Sequence, residues 1–386
     1  MNRPARLALG TLVLASLGGF SCERAPRGSA EPAARSLGGR GAAADPGGAA
    51  SYPVGAQPRA VAVADLDGDG ELDVAVANSA DGTVTVLMGA GQGRLRPVGA
   101  PVPAGREPSD VDAADLDRDG DVDLVLANHE TSRITLLLND GRARFTPAAG
   151  SPVETGARPH VHGLATADLD GDGWTDVAVE SADTREVRIL WGGAGGFGPA
   201  VAVDVGTMPY FRLGAADATG DGRLDVLVPG HGDSTVLVVG AEQGRELRSE
   251  RVIRLADQPW MIVGADVNGD RRADLVVVHA GAVSVWMAAS RGFAAAPGSP
   301  FSLPGATEAA AGDLDGDGVA DVVAGPWEGD EVTVLAGPRL ERRAVRACPR
   351  PIGLAVADLD GDGRGELLAV CPTENRLVVI TTPPGR

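Results

Sequence analysis

The chain has 386 residues, of which 3 % are aromatic and 44 % hydrophobic, with 55 glycines, 27 prolines and a net charge of −19. This length supports a large core, which the shortage of aromatics leaves to Val, Ala and Leu. The acidity argues against nucleic acid as a partner, and the Gly and Pro content suits many short strands joined by turns.

Residues 1–21 read as an export signal. Arg3 and Arg6 precede an apolar run from Leu7 to Leu17, followed by Gly18 and Gly19. The run is too short for a resident membrane helix. Cys22 follows, in a setting that resembles a bacterial lipoprotein signal, although Gly19 stands where that box takes Leu. Lipidation of Cys22 is the expectation, with ordinary cleavage nearby as the alternative. Residues 22–50 hold almost no large apolar side chains and read as a disordered tether, about 30 Å in mean reach. The only expected membrane attachment is the lipid on Cys22.

From residue 51 onward one motif recurs, A-D-x-D-x-D-G-x-x-D and then an apolar run. Its first aspartate falls at Asp65, Asp115, Asp168, Asp217, Asp266, Asp313 and Asp358, at spacings of 45 to 53 residues. Seven copies at a near-constant period predict a solenoid, an array or a propeller. The first copy reads as four short strands bounded by turn residues: Ala60–Ala64 (A), Leu72–Ala77 (B), Thr83–Met88 (C) and a looser Leu95–Val102 (D). Four antiparallel strands per period describe a propeller blade. The seventh copy supplies A (Gly353–Ala357), B (Leu367–Val370) and C (Leu377–Thr381) but no D, while Ala50–Gly55 stands unmatched before the first A strand. The expected fold is an all-β, seven-bladed β-propeller over residues 51–386. Its blades are four-stranded and antiparallel, and the N-terminal strand completes the last one.

The aspartate loop suits a hard cation. Ca2+ takes roughly six to eight oxygens in flexible geometry, and alternate side chains of a tight loop converge on one point. Positions 1, 3, 5 and 9 supply carboxylates and position 7 a carbonyl, while Gly at position 6 permits a positive φ. Strands flank the loop and its ninth position closes it, which excludes an EF-hand. The complete sets are Asp65, Asp67, Asp69 and Asp73; Asp115, Asp117, Asp119 and Asp123; Asp168, Asp170, Asp172 and Asp176; and Asp313, Asp315, Asp317 and Asp321. The seventh set, Asp358, Asp360, Asp362 and Glu366, ends in the longer Glu. The fourth, Asp217, Thr219, Asp221 and Asp225, has a hydroxyl at position 3. In the fifth, Asp266, Asn268, Asp270 and Asp274, Arg271 replaces the glycine. Up to seven Ca2+ are expected, more weakly held in loops four and five, and they would offset most of the negative charge. Solvated Asp-Gly turns without metal are the alternative, against which stands the mutual repulsion of clustered carboxylates.

Seven copies in register resemble the FG-GAP and VCBS repeats of integrin α-subunits and of many bacterial exported proteins. The resemblance covers residues 51–386. It implies Ca2+ in the A–B loops on one face of the ring, in a structural role that stabilises the folded state.

The strand directions put Cys348 and Cys371 together at the end opposite the acidic loops, predicting a disulfide, with two half-buried thiols as the alternative. The D–A and B–C loops of that same end carry His129, His160, His162, Tyr210, His231, Trp260, His279 and Trp327, with Glu130, Glu180, Phe211 and Arg212 nearby. Rings and imidazoles on rigid loops suit a sugar, a peptide or a second metal. Singly, each His is an ordinary loop residue. Neither a nucleophile motif nor a His-x-x-x-His-type metal signature is present. The reading is a monomeric, extracytoplasmic, calcium-binding module for binding or adhesion, taking a protein or glycan on this face. A lyase-like enzyme acting on polysaccharide and a purely structural envelope component are the alternatives.

Overall fold

The computed structural model describes residues 49–381. The export signal, Cys22 and the tether up to residue 48 lie outside the described residues. Seven antiparallel sheets follow one another along the chain; in six of them the strands run A–B–C–D in sequence order from inside to outside, and in the seventh the outermost strand comes from the start of the described residues. In blade one these are Pro58–Ala64, Asp73–Asn78, Thr83–Gly89, and a D strand split into Leu95–Pro97 and Val102–Pro103. The sequence anticipates A, B and C within about two residues, but not the break in D. Pro97 and Pro101 lack the N–H a continuous ladder needs, and Gly99 turns between them at φ 65°.

The B strands Asp73–Asn78, Asp123–Asn128, Asp176–Ser181, Asp225–Gly230, Asp274–His279 and Glu366–Cys371 are buried along their whole length. Neighbouring blades cover both of their faces, so these strands read as continuous apolar runs rather than as alternation. Outer strands alternate instead, as in Glu341–Arg346 of blade six. Val, Ala and Leu fill the layers between blades: Val61, Val74 and Leu87 of blade one pack in one cluster with Val356, Leu367 and Val379 of blade seven.

Closure is made by the N-terminal strand. Ala49–Pro53 pairs antiparallel with Arg376–Thr381, Ser51 opposite Val378, as the fourth strand of blade seven. It begins two residues ahead of the expected boundary at residue 51. The Tyr52 hydroxyl, from a side chain 1 % exposed, accepts a hydrogen bond from Leu95 N at 3.0 Å in blade one. Asn375 Oδ1 accepts another from Gln57 N at 3.0 Å. The joint thus covers the outer edge of Arg376–Thr381 and gives blade seven its fourth strand. A disulfide joins Cys348 to Cys371, whose Cα atoms are 6.1 Å apart, and fits an oxidising compartment. Among the described residues no helix is long and apolar enough to cross a membrane.

Candidate functional site

The A–B loops share one hydrogen-bonding plan. The first aspartate accepts from the backbone N–H of positions 4 and 6: Asp65 from Gly68 at 2.8 Å and Gly70 at 3.0 Å, Asp358 from Gly361 at 2.8 Å and Gly363 at 2.9 Å. The ninth residue is buried and ties the loop to its own blade. Asp73 accepts from Leu66 N at 2.8 Å and from Gly89 N, on strand C, at 2.7 Å. Glu366, despite its extra methylene, accepts from Leu359 N at 2.9 Å in the same way. A carboxylate has about four lone-pair sites, so these bonds leave capacity on every side chain. In loops one to three, oxygens from positions 1, 3 and 9 all lie within 4.8 Å of one another. Burial pushes the carboxyls of Asp73, Asp123, Asp176 and Asp321 up to about 6 and that of Glu366 up to about 7, and the nearby loop aspartates add to the rise. In loop six Asp315 Oδ1 is buried without any hydrogen-bond partner. An orphaned carboxylate oxygen inside an all-oxygen donor set fits a hard cation.

Loops four and five depart as their sequences indicate. Thr219 N–H donates to Asp225 at 2.9 Å, and Asn268 turns its amide nitrogen to within 3.0 Å of Asp274. Arg271 holds φ 66° where the other loops have glycine. Two more departures appear only in three dimensions. Arg223, at position 7 of loop four, binds Asp221 Oδ2 at 2.6 Å. Arg245 sits at the tip of the blade-four hairpin Thr235–Gln243 and Glu246–Arg254 and reaches into loop three, 2.8 Å from Asp170 Oδ2 and 3.2 Å from Asp172 Oδ2. A set that is complete in sequence therefore carries a guanidinium on two of its carboxylates.

At the opposite end the loops of blades two, three and four converge. His160 N donates to His129 O at 2.8 Å, and His129 N to Glu107 O at 3.1 Å. The His162 ring centroid lies 4.8 Å from His129, 4.9 Å from Tyr210 and 5.2 Å from Phe211, and Tyr210 continues the chain to His231 at 5.0 Å. A Cβ at Gly163 would meet Phe211 O and Arg212 Cα at 2.9 Å, so glycine is what lets the two loops press together. His160 and Phe211 hold φ of 84° and 78°, a backbone state that side-chain-bearing residues rarely adopt. Glu180, 0 % exposed, supports the cluster from below. Its Oε1 accepts from His162 N at 2.6 Å and lies 3.0 Å from His162 Nδ1. Burial, reinforced by the neighbouring imidazoles, pushes His129 down to about 3. Burial likewise lowers His231. These two rings are therefore neutral at physiological pH. Deeper still, buried Arg212 pairs with buried Asp110 at 2.6 Å.

Three overlapping or separate segments, residues 65–126, 115–179 and 266–324, match the family described as FG-GAP-like repeat. The chain is a seven-bladed β-propeller that carries FG-GAP-like repeats. No curated protein sequence matches it. Among solved structures it is similar to BBS1N in complex with ARL6DN, at TM-score 0.61 and 15 % identity, covering 87 % of this chain and 97 % of that one. It is also similar to an Agrocybe aegerita lectin that recognises non-reducing terminal N-acetylglucosamine, at TM-score 0.55 and 19 % identity, covering 76 % and 81 %. A third is a catalytically inactive virginiamycin B lyase from Staphylococcus aureus with quinupristin, at TM-score 0.53 and 11 % identity, covering 87 % and 99 %. At such identities the likeness is one of fold.

Within this FG-GAP propeller the remaining sequence candidates sit apart from the ring chain. His279 is 3 % exposed and its Nε2 lies 2.7 Å from Ser284 Oγ, an internal polar contact of blade five. Trp260 lends its carbonyl to Arg212 N at 3.0 Å. Trp327 stacks beneath Arg350, 3.4 Å from guanidinium to ring centre, beside a shallow hollow on blades six and seven. Asp110 and Arg245 escaped the sequence reading. Asp110 and Asp112 stand out afterwards as carboxylates within the buried strand Pro108–Ala114. Arg245 has no local signal at all.

Proposed function

We propose that the protein is a calcium-bound, extracytoplasmic binding module whose ligand occupies the face opposite the aspartate loops. The observation that carries this reading is the continuous chain of rings His160–His129–His162–Tyr210–His231, supplied by three successive blades and edged by backbone outside the usual conformations. Aromatic faces offer large contact area at little entropic cost, and neutral imidazoles both donate and accept hydrogen bonds, which suits a glycan or a peptide. Calcium, when bound, supplies charge that neutralises the clustered carboxylates. The chain's own part is to pre-arrange them through the backbone bonds to positions 1 and 9. Asp315 Oδ1 and the weakened acidity of the ninth-position carboxyls support this assignment. The signal-like residues 1–21 and Cys22 supply export and a lipid anchor in the same reading, and the disulfide agrees with it.

Glycan-array and peptide-library binding with the calcium-loaded protein tests the ligand face. Binding lost in Tyr210→Ala and His231→Ala, with the melting temperature retained, is the expected outcome. A ligand retained by both variants would place binding elsewhere and end this reading. The His162–Glu180 pair beside Tyr210 favours a second reading, a polysaccharide lyase in which imidazole and phenol move protons. Unsaturated products released from acidic polysaccharides and abolished by Tyr210→Phe would support it over simple binding.

A further inference from the structure

We propose that His129, His160 and His162 form a transition-metal site of the zinc class, separate in place and chemistry from the aspartate loops. One ring nitrogen of each histidine lies within 4.8 Å of the others. The donor set is all imidazole, which suits zinc and its neighbours, whereas calcium takes oxygen. The surroundings prepare the rings for that task. Glu180 Oε1, 3.0 Å from His162 Nδ1, holds the proton on that nitrogen and leaves the Nε2 lone pair for a metal. Glu130 Oε1 stands 3.3 Å from His129 Nδ1 and orients the second ring in the same sense. Glu180 Oε2 is buried without a hydrogen-bond partner, and a cation held on the adjacent rings compensates its charge. His160 reaches the cluster only through its left-handed backbone, pinned by the 2.8 Å bond to His129 O.

Three histidines leave a coordination position open. His129 and His160 are half-exposed, so that position faces solvent beside Tyr210, as in metal sites that bind or activate an oxygen ligand rather than purely structural ones. The bound ion takes water or an anionic oxygen there. This goes beyond the calcium and ligand reading and holds whether or not that reading does.

The test uses untagged full-length protein, stripped with chelator and reloaded with excess calcium to occupy the oxygen sites. Zinc is then followed by titration calorimetry and elemental analysis, and cobalt by visible absorption. One zinc per chain is expected, together with cobalt bands of a low-coordinate nitrogen site. His160→Asn, which tolerates the positive φ, should abolish both while near-ultraviolet circular dichroism stays unchanged. Glu180→Gln should weaken zinc by about 10- to 100-fold. Asp65→Asn should leave zinc untouched. Zinc that fails to bind in the presence of calcium overturns the site, as does binding that survives undiminished in His160→Asn.

Discussion

Arg212 Nη2 stands 2.6 Å from Asp110 Oδ1 with both side chains closed off from water, linking the loop that leads into blade four to strand A of blade two across the width of blade three. Asp110 Oδ2 also accepts from Leu164 N of blade three at 3.2 Å. Three blades are thereby fastened directly beneath the ring cluster. Arg212→Ala removes one partner and leaves a buried carboxylate, a loss of about 3–5 kcal/mol. Urea unfolding should report that drop. A loss within experimental error would mean that the pair is not sealed as described.

Calcium removal should reverse the pH response of stability. In metal-free protein the carboxyls of Asp73, Asp123, Asp176 and Asp321 stand at about 6 and that of Glu366 at about 7, above their unfolded values. The folded state then holds the extra protons. Their contribution is complete below the unfolded values and fades as pH rises through 6 and 7. With calcium the same groups must be ionised to bind, so stability rises with pH instead. Melting temperatures between about pH 5 and about pH 7, with chelator and with calcium, should slope in opposite directions. Parallel slopes would exclude these loops as calcium sites.

Arg245→Ala should tighten calcium binding in loop three. Its guanidinium lies on Asp170 and Asp172, and any cation entering that loop must displace it. A partly exposed ion pair is worth on the order of 1 kcal/mol, so the gain at this one site is about fivefold for each of the two carboxylates released. Site-resolved titration by nuclear magnetic resonance would reveal it, and an unaltered loop-three affinity would count against the competition.

Arg271→Gly should stabilise the metal-free protein. Arg271 stands at φ 66° where Gly70 and Gly318 occupy the same position at 92° and 83°. Releasing a side-chain-bearing residue from left-handed backbone, less the entropy glycine loses on folding, leaves a gain of about 0.5–1 kcal/mol. Thermal unfolding in chelator measures it. A lower melting temperature would show that the Arg271 side chain, not its backbone, matters there.

Much of the ring was legible because its information is local. Each aspartate loop keeps its four donors within nine residues, and each blade keeps its strands within one period, so Asp65 to Asp73 predicts its turn and Leu72–Ala77 its strand without reference to anything distant. Even closure was readable, since the seventh copy lacks a D strand and residues near Tyr52 stand unmatched. The face opposite the aspartate loops was legible only as a set of candidates. His129, His160, His162, Tyr210, His231, His279 and Trp327 looked equivalent in sequence. Only the first five share a chain of rings, while His279 turns inward to Ser284 and Trp327 lies under Arg350.

The sequence by itself determined the repeat, the number of blades, the acidic loops and their order along the chain. These follow from side-chain periodicity and turn chemistry, which act over a few residues. Tertiary structure decided which loops meet. The packing of blade on blade brings Glu180 under His162, Arg212 onto Asp110 across 102 residues, and Arg245 into a loop 73 to 75 residues away. Such pairs are selected by the angle and spacing between neighbouring sheets, a property of the closed ring that no single repeat contains.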